Sequence, residues 1–325
     1  MAVRVVAVQP RVALGEVDEN LRHLEDLVTQ AAREHSPHAI FLPESTNAPN
    51  VYHPVMRGLA SALDGPTTRM LQRLAREHGC LVGGGFIAVR GADTRGTYCV
   101  AEPDGTVHFH DKDQPSMWEN NYYSAGADPG IFETSLGPIG CANGFEWVRS
   151  RTAERLRGRV RLLAGGMCFP SYPTWTVTRP LFIGREHAKM LQWARETPPR
   201  MARVLGVPCV HPSHVGEITM RTPLMPGVRW PTIMVGQTQI CDRRGTILEH
   251  LGYEDAEGYV AAEVELTEPA PLDPVPPHFW MSSIPVTTEA VWLLANVHGR
   301  AKYEAMKRLR LHPWQRDPPP PAPAP

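Results

Sequence analysis

Three short segments carry polar side chains that together could perform acid–base chemistry. Glu44 ends an apolar strand in Phe41-Leu42-Pro43-Glu44. A carboxylate at a strand end with apolar surroundings can have a raised pKa and act as a general base. Lys112 follows a predicted hairpin, and an ammonium held near a reacting carbonyl would stabilise a developing oxyanion. Glu119, among aromatic residues, is a candidate second acid or substrate-positioning group.

Each of these residues also has a purely structural interpretation. Glu44 could cap a helix or form a surface salt bridge, and Lys112 lies between two aspartates, where a lysine is most often a solvated charge. Glu119 could instead be a loop residue that accepts backbone hydrogen bonds. The local sequence therefore favours a catalytic site only if the three residues act together.

The bulk properties exclude several classes of partner. The chain has 325 residues, is 42% hydrophobic, and carries 33 Lys and Arg against 34 Asp and Glu. This balance predicts no nucleic-acid partner and no membrane partner. No signal-peptide pattern or membrane-length apolar run is present, and we expect a cytoplasmic protein. The six cysteines and fourteen histidines form no metal-ligand pattern, so no metal is expected.

Strand and helix signals alternate along the chain, which favours a mixed-sheet α/β sandwich. Residues 185–205 have helical periodicity that we expect to be broken or strained near Pro198-Pro199. Residues 233–241 are predicted to be one strand of a hairpin that returns over residues 246–250. Other predicted helices cover residues 16–34, 66–78, 152–156 and 287–309.

Several segments taken together resemble the nitrilase (carbon–nitrogen hydrolase) superfamily. The matching segments are Val8-Gln9-Pro10, Phe41-Leu42-Pro43-Glu44, residues 105–112, Ile139-Gly140 with Phe145-Glu146, residues 149–163, Ala194-Arg195-Glu196-Thr197, Gly206-Val207-Pro208 and Gly245-Thr246-Ile247-Leu248. The resemblance covers roughly residues 3–265. It implies a four-layer α-β-β-α sandwich that hydrolyses nitriles, amides or carbamoyl amines with a Glu–Lys–Cys triad, without metal or organic cofactor. It also implies a homodimer or higher homo-oligomer.

The resemblance divides the chain into three parts. Residues 1–266 would form the carbon–nitrogen hydrolase domain. Residues 267–317 would form a C-terminal extension whose helix packs on the domain or on a partner subunit. Residues 318–325, mostly proline and alanine, are expected to be disordered or extended.

The resemblance also assigns roles to the polar residues. Glu44 would be the general base, Lys112 the oxyanion-stabilising cation and Glu119 the second, substrate-orienting glutamate. The nucleophile would follow Ile139-Gly140 by four positions, and the residue there is Gly144. Without a thiolate, covalent attack on a nitrile or carbonyl carbon cannot occur at this position.

Two other thiols are candidates to replace the missing nucleophile. Cys141 lies three positions earlier, and its odd offset in a strand would place its side chain on the opposite sheet face. Cys168 falls in the loop that would form a wall of the pocket, where a nearby lysine would lower the pKa of the thiol. An inert wall residue is the alternative for Cys168.

Several residues near these segments are candidates for substrate binding. Aromatic side chains in loops could line a pocket for an apolar or aromatic substrate, although such residues are also ordinary core. The substrate-binding candidates are Trp118, Tyr122, Phe145, Cys168 and Phe169, with Tyr123, Trp147 and Trp175 nearby in sequence.

Three hypotheses follow from the glycine. The chain could be a C–N hydrolase whose nucleophile has been lost or engineered out while the Glu/Lys pocket still binds a nitrile, amide or related compound. It could be a non-catalytic binding or regulatory protein of the nitrilase fold. It could also be a repurposed enzyme in which Glu44 and Lys112 perform acid–base chemistry without a thioester. Retention of a carboxylate–ammonium pair favours a pocket that still binds a C–N substrate.

Overall fold

Two six-stranded β-sheets form the centre of the fold in a computed structural model that describes residues 1–174, 182–221, 227–284 and 286–316. Trp175 and the tail at 318–325 lie outside the described residues. The strands are β1 (Ala2–Gln9), β2 (Ala39–Phe41), β3 (Leu81–Arg90), β4 (Asp93–Ala101), β5 (Val107–Asp111), β6 (Ile131–Thr134), β7 (Gly137–Cys141), β8 (Leu162–Ala164), β9 (Cys209–His211), β10 (Val215–Arg221), β11 (Arg229–Val235), β12 (Thr238–Cys241), β13 (Ile247–Leu251) and β14 (Gly258–Glu265).

Both sheets are mixed, with a parallel centre and antiparallel edges. The first has the order β14-β1-β2-β3-β4-β5, and the second has the order β13-β12-β9-β8-β7-β6. In the first sheet Ile40 pairs with Val6 and with Val82, and both pairings are parallel. In the second, β8 pairs in parallel with β7 and β9. Parallel strands that share a direction bring their carboxyl ends to one edge, where functional side chains gather.

Helices pack on the outer faces of both sheets. The helices of the described residues are α1 (Val17–His35), α2 (Pro66–His78), α3 (Ser150–Leu156), α4 (Phe182–Leu205), α5 (Val286–Arg308) and α6 (Pro313–Arg316), of which α5 and α6 contact 3-10 turns. The apolar sides of α1 and α2 share one core cluster with the first sheet, and α4 shares another with residues of the second. A third cluster, which includes Val5, Phe41 and Leu162, lies between the sheets. The predicted four-layer α-β-β-α sandwich is confirmed.

The predicted break in the helix at Pro198-Pro199 is wrong, because α4 continues through both prolines to Leu205. Pro199 has no N–H to give to the carbonyl of Arg195, four residues earlier. The side-chain amide of Gln239 donates to that carbonyl oxygen instead, at 3.1 Å. A residue distant in sequence thus satisfies the acceptor that proline leaves open.

The single strand predicted over residues 233–241 is also wrong. β11 ends at Val235 and β12 begins at Thr238. Between them Gly236 and Gln237 have φ values of 61° and 68°, in the left-handed region. β11 instead pairs with β10, a strand that the sequence did not predict, in a separate two-stranded sheet. The apolar pattern of residues 233–241 does not indicate this reversal, because the reversal depends on the backbone conformation of Gly236 and Gln237.

The C-terminal helix α5 packs on the 3-10 turn Met117–Asn121 of the same chain. Asn296 Oδ1 accepts hydrogen bonds from Met117 N at 2.6 Å and from Asn120 Nδ2 at 2.8 Å. The extension therefore contacts the turn that carries Glu119. Among the described residues, no helix is long and apolar enough to cross a membrane.

Candidate active site

Glu44 is fixed by the loop that follows β2. Tyr98 donates its hydroxyl to Leu42 O at 2.9 Å, and Gly85 N donates to Pro43 O at 3.2 Å. A Cβ on Gly85 would lie 2.0 Å from Glu44 O, so the close approach of β3 to this loop requires glycine. The Glu44 carboxylate is thereby directed into the interior, where its side chain is 6% exposed.

Lys112 joins the two predicted carboxylates in a buried ion cluster. Its Nζ donates to Glu119 Oε1 at 2.7 Å and to Glu44 Oε2 at 3.1 Å. Glu119 is held in turn by Ser116, whose backbone N donates to its Oε2 at 2.6 Å. The structure thus brings Glu44 together with Lys112 and Glu119, although Glu44 lies 68 residues before Lys112 in the sequence. This cluster can hold and polarise a polar ligand.

The ionisation of the cluster follows from burial and its internal charges. Burial, together with the charge of Glu119, raises the pKa of Glu44 to about 6, against the opposing effect of Lys112. Burial disfavours the charged form of Lys112, but Glu119 and Glu44 outweigh it and hold its pKa above the usual range. Near neutral pH the ammonium is charged, and Glu44 titrates close enough to neutrality to exchange a proton.

The wild type is expected to lose stability as pH rises through the pKa of Glu44, and Glu44→Gln is expected to abolish this loss. The Glu44 pKa of about 6 exceeds its ordinary value of 4.5, so the folded state binds this proton more tightly. The resulting stabilisation is fully present below pH 4.5 and is lost as pH rises through 6, by roughly 2 kcal/mol. Denaturant unfolding of both proteins from pH 4 to 7 measures it, with Glu133→Gln as an exposed control. Parallel curves for wild type and Glu44→Gln would refute this ionisation.

Gly144 lies next to the same cluster. It begins a 3-10 turn with φ +53°, and its N donates to Gly166 O at 2.9 Å. A Cβ on Gly144 would lie 2.3 Å from Glu44 Oε2 and 2.7 Å from Lys112 Nζ. The carboxylate and ammonium therefore stand in the space where a side chain at position 144 would begin.

Glu146 links the turn at Gly144 to the turn at Lys112. Its Oε2 accepts from Asn143 N at 2.9 Å, and its Oε1 accepts from Asp113 N at 3.1 Å. His110 Nε2 lies 2.9 Å from Oε2, and despite burial the charges of Glu146 and Asp128 raise the His110 pKa to about 9. The sequence marked Phe145-Glu146 as an anchor of the resemblance but did not reveal this structural role.

Asn50 also reaches the cluster, and no sequence signal indicated it. Its Nδ2 donates to Glu119 Oε1 at 2.6 Å and lies 3.5 Å from Glu44 Oε1. Its backbone O accepts from Trp118 Nε1 at 3.3 Å. A neutral amide thus shares the carboxylates with Lys112.

Cys168 lies beside Glu44, but the lowered thiol pKa expected from a nearby lysine is wrong. Its backbone N donates to Glu44 Oε1 at 3.0 Å, and its Sγ accepts from Asn50 N at 3.0 Å. Burial and the charge of Glu44 raise the pKa of the thiol well above its usual range and outweigh Lys112. Cys141 lies in the core between the sheets, where burial likewise raises its pKa.

The aromatic candidates divide into two groups. Phe145 and Phe169 pack together with a ring separation of 5.1 Å, and both contact Trp193. Trp118 contacts the loop after Glu44 through Asn50, and Tyr122 OH donates to Val51 O at 3.1 Å. Phe145 and Phe169 therefore pack in an aromatic core cluster, whereas Trp118 and Tyr122 hold the loop that carries Asn50.

Two cavities adjoin this loop. One of about 20 Å³, enough for about one water molecule, is lined by Glu44, Asn50 and Lys112 among others. The other, of about 720 Å³, is lined by Pro49 and His214 among others. His214 Nε2 lies 2.9 Å from Ser45 O, next to Glu44. Within the described part of the chain, no cluster of three His, Cys, Asp or Glu residues could hold a metal ion.

Comparisons with known proteins agree with this architecture. Residues 4–151 match the sequence model of the carbon–nitrogen hydrolase family. A carbon–nitrogen hydrolase from Helicobacter pylori G27 has a TM-score of 0.69 at 14% identity, covering 98% of this chain and 100% of that chain. Nit3 from Saccharomyces cerevisiae, a nitrilase-superfamily member, has a TM-score of 0.60 at 19% identity, covering 81% and 89%. An amidase from Nesterenkonia sp. AN1 has a TM-score of 0.60 at 15% identity, covering 81% and 90%.

These matches confirm the resemblance. Residues 4–151 are similar in sequence to the carbon–nitrogen hydrolase family, and the fold of most of the chain is that of nitrilase-superfamily structures. Members of this superfamily act on small C–N compounds. At these identities the structural likeness concerns the fold alone, and among curated protein sequences none matches the chain.

Proposed function

We propose that this protein binds a nitrile, amide or related C–N compound through Glu44, Lys112 and Glu119 and forms no covalent acyl intermediate at position 144. One observation carries the proposal. The Glu44 carboxylate and the Lys112 ammonium occupy the space into which a side chain at Gly144 would project. The polar partners of a nitrilase-type site are therefore present, and the nucleophile is not.

The cluster supports binding and polarisation of a C–N group. Lys112 can donate to a carbonyl oxygen or nitrile nitrogen and stabilise negative charge that develops there. Glu119 and Glu44 can accept from an amide N–H. Without a thiol, an attack must come from elsewhere, and loss of a nucleophile from such a unit costs several orders of magnitude in rate.

A second candidate function is acid–base chemistry without a thioester. The cavity of about 20 Å³ beside Glu44 has room for about one water molecule. A Glu44 carboxyl with a pKa of about 6 is suited to accept a proton from it near neutral pH. The small size of this cavity equally supports the third candidate, a nitrilase-fold protein that binds and does not turn over.

A ligand panel tests the proposal. Acrylamide is bound in a structure of the Nesterenkonia amidase. We therefore choose propionamide, its saturated analogue that does not alkylate thiols, with propionitrile and N-carbamoyl glycine. We expect binding to the wild type in calorimetry, no mass adduct, and at least about tenfold weaker binding to Glu44→Gln and Lys112→Met. Glu133→Gln, on an exposed strand residue, is the control and should bind as wild type.

The same samples distinguish the candidates. Ammonia release that depends on Glu44 and leaves no adduct would establish the acid–base enzyme. A stable or transient acyl adduct on Cys168 would contradict the proposal by restoring a covalent mechanism. Failure of every C–N compound to bind would contradict it more completely.

We also propose that the protein is a cytoplasmic homodimer or higher homo-oligomer. The support for the oligomer is an exposed apolar face on α5. Its residues Val286, Leu293, Leu294 and Val297 are each more than half exposed, at 79%, 55%, 57% and 75%. Exposed apolar side chains at helical spacing are typical of a face that another chain covers.

A further inference from the structure

The side-chain amide of Asn50 lies inside the ionisable cluster, and we propose that it occupies the place of a ligand's primary carboxamide. The inference deepens the proposed function and rests on it. Asn50 is 9% exposed and lines the cavity of about 20 Å³ together with Glu44 and Lys112. The protein thus holds one of its own carboxamides where a C–N compound would bind.

The hydrogen-bonding pattern defines the ligand class. An ionised carboxylate accepts only, so the NH₂ end of the Asn50 amide must face the glutamates. Its Nδ2 donates to Glu119 Oε1 at 2.6 Å and lies 3.5 Å from Glu44 Oε1. The Asn50 nitrogen thus faces two carboxylate oxygens. This arrangement matches the two N–H groups of a primary amide or of a carbamoyl group. A tertiary amide has no N–H to offer, and a carboxylate would be repelled.

The backbone of Asn50 is held on both sides. Its N donates to Cys168 Sγ at 3.0 Å, and its O accepts from Trp118 Nε1 at 3.3 Å. These contacts keep the residue in place independently of its side chain. Truncation of the side chain should therefore vacate the amide position without moving the loop.

Asn50 and its neighbour in sequence, Pro49, line two different cavities. Pro49 lines the cavity of about 720 Å³, whereas Asn50 lines the small cavity at Glu44. A ligand that bonds to both glutamates would have to displace the Asn50 side chain, because its Nδ2 already contacts Glu119 Oε1 and Glu44 Oε1. The apparent affinity of the wild type is then reduced by the fraction of molecules in which the side chain is displaced.

Chemical rescue with formamide tests the inference, because formamide has the size of the carboxamide lost in Asn50→Ala. We expect formamide to raise the melting temperature of Asn50→Ala more than that of wild type. The apparent Kd for formamide that these shifts give should be at least about tenfold lower for Asn50→Ala than for wild type. Formate and N,N-dimethylformamide should give no such difference. Asn296→Ala is the matched control, because it removes a carboxamide that contacts the same turn from its outer side.

Several outcomes would overturn the inference. Equal formamide effects on wild type, Asn50→Ala and Asn296→Ala would do so, as would equal rescue by N,N-dimethylformamide. If Asn50→Ala does not fold, Asn50→Ser gives the same comparison with a smaller loss. If wild type binds propionamide as tightly as the Asn50 variants do, this inference is overturned. The proposed function is not affected by that result. Failure of the proposed function is read separately, from the ligand panel on wild type, Glu44→Gln and Lys112→Met.

Discussion

Gly144→Cys is expected to acquire the covalent C–N hydrolysis that we propose the wild type lacks. The new Cβ would point directly at the groups that must activate a thiol, because it would lie within 2.3–2.7 Å of Glu44 and Lys112 atoms. Both are ends of flexible side chains and can retreat. Lys112 would then favour the thiolate and Glu44 would accept its proton. We expect ammonia release from propionamide to increase on the order of 10³-fold or more over wild type.

Gly144→Ala is the matched control for this experiment. Alanine and cysteine both enter a backbone with φ +53°, at a cost of about 1–2 kcal/mol, and both displace the same side chains. Only cysteine supplies a nucleophile, so Gly144→Ala should be equally destabilised and inactive. A folded Gly144→Cys protein without an acyl adduct or ammonia release would show that Glu44 and Lys112 are not arranged for nitrilase chemistry.

Lys112→Met is expected to destabilise the protein by about 3–5 kcal/mol at pH 7. Lys112 is 1% exposed and lies between two carboxylates, at 2.7 Å from Glu119 and 3.1 Å from Glu44. Methionine retains most of the volume but leaves two buried carboxyl groups without a cation. The loss should shrink toward pH 4.5, because protonation removes the uncompensated charge. Denaturant unfolding at both pH values measures it.

Asp273→Asn provides the comparison for Lys112→Met. The Arg203–Asp273 ion pair has a similar distance of 2.7 Å, but its side chains are 44% and 35% exposed. Solvent screens such a pair, so its loss should reduce the free energy of unfolding far less than the loss of Lys112 does. If the two substitutions have equal effects on the free energy of unfolding, the cluster at Lys112 is not the buried ion network described above.

The sequence was sufficient to predict the fold and to select Glu44 and Lys112, whose side chains lie together in the structure. Glu44 follows an apolar strand, and Lys112 follows a hairpin whose turn signals are explicit. The resemblance carried by these and other segments implied that the two side chains act together, and they meet although 68 residues separate them. The resemblance also assigned Gly144 to the nucleophile position from its neighbours on both sides, and this assignment stays a prediction.

Other features depend on contacts that no local pattern records. Asn50 enters the cluster because Cys168 and Trp118 hold its backbone, and both are distant in sequence. The thiol pKa of Cys168 depends on burial and on Glu44 as well as on the lysine that suggested its reactivity. The uninterrupted helix at Pro199 likewise depends on Gln239.

The most direct test of the central claim combines calorimetry and intact mass on one sample of wild-type protein with propionamide. We expect saturable binding that requires Glu44 and Lys112, together with a protein mass that stays unmodified throughout the incubation. An acyl adduct on Cys168 or Cys141 would contradict it by locating a nucleophile elsewhere in the site. Absence of binding by propionamide and by the rest of the panel would contradict it by removing the ligand.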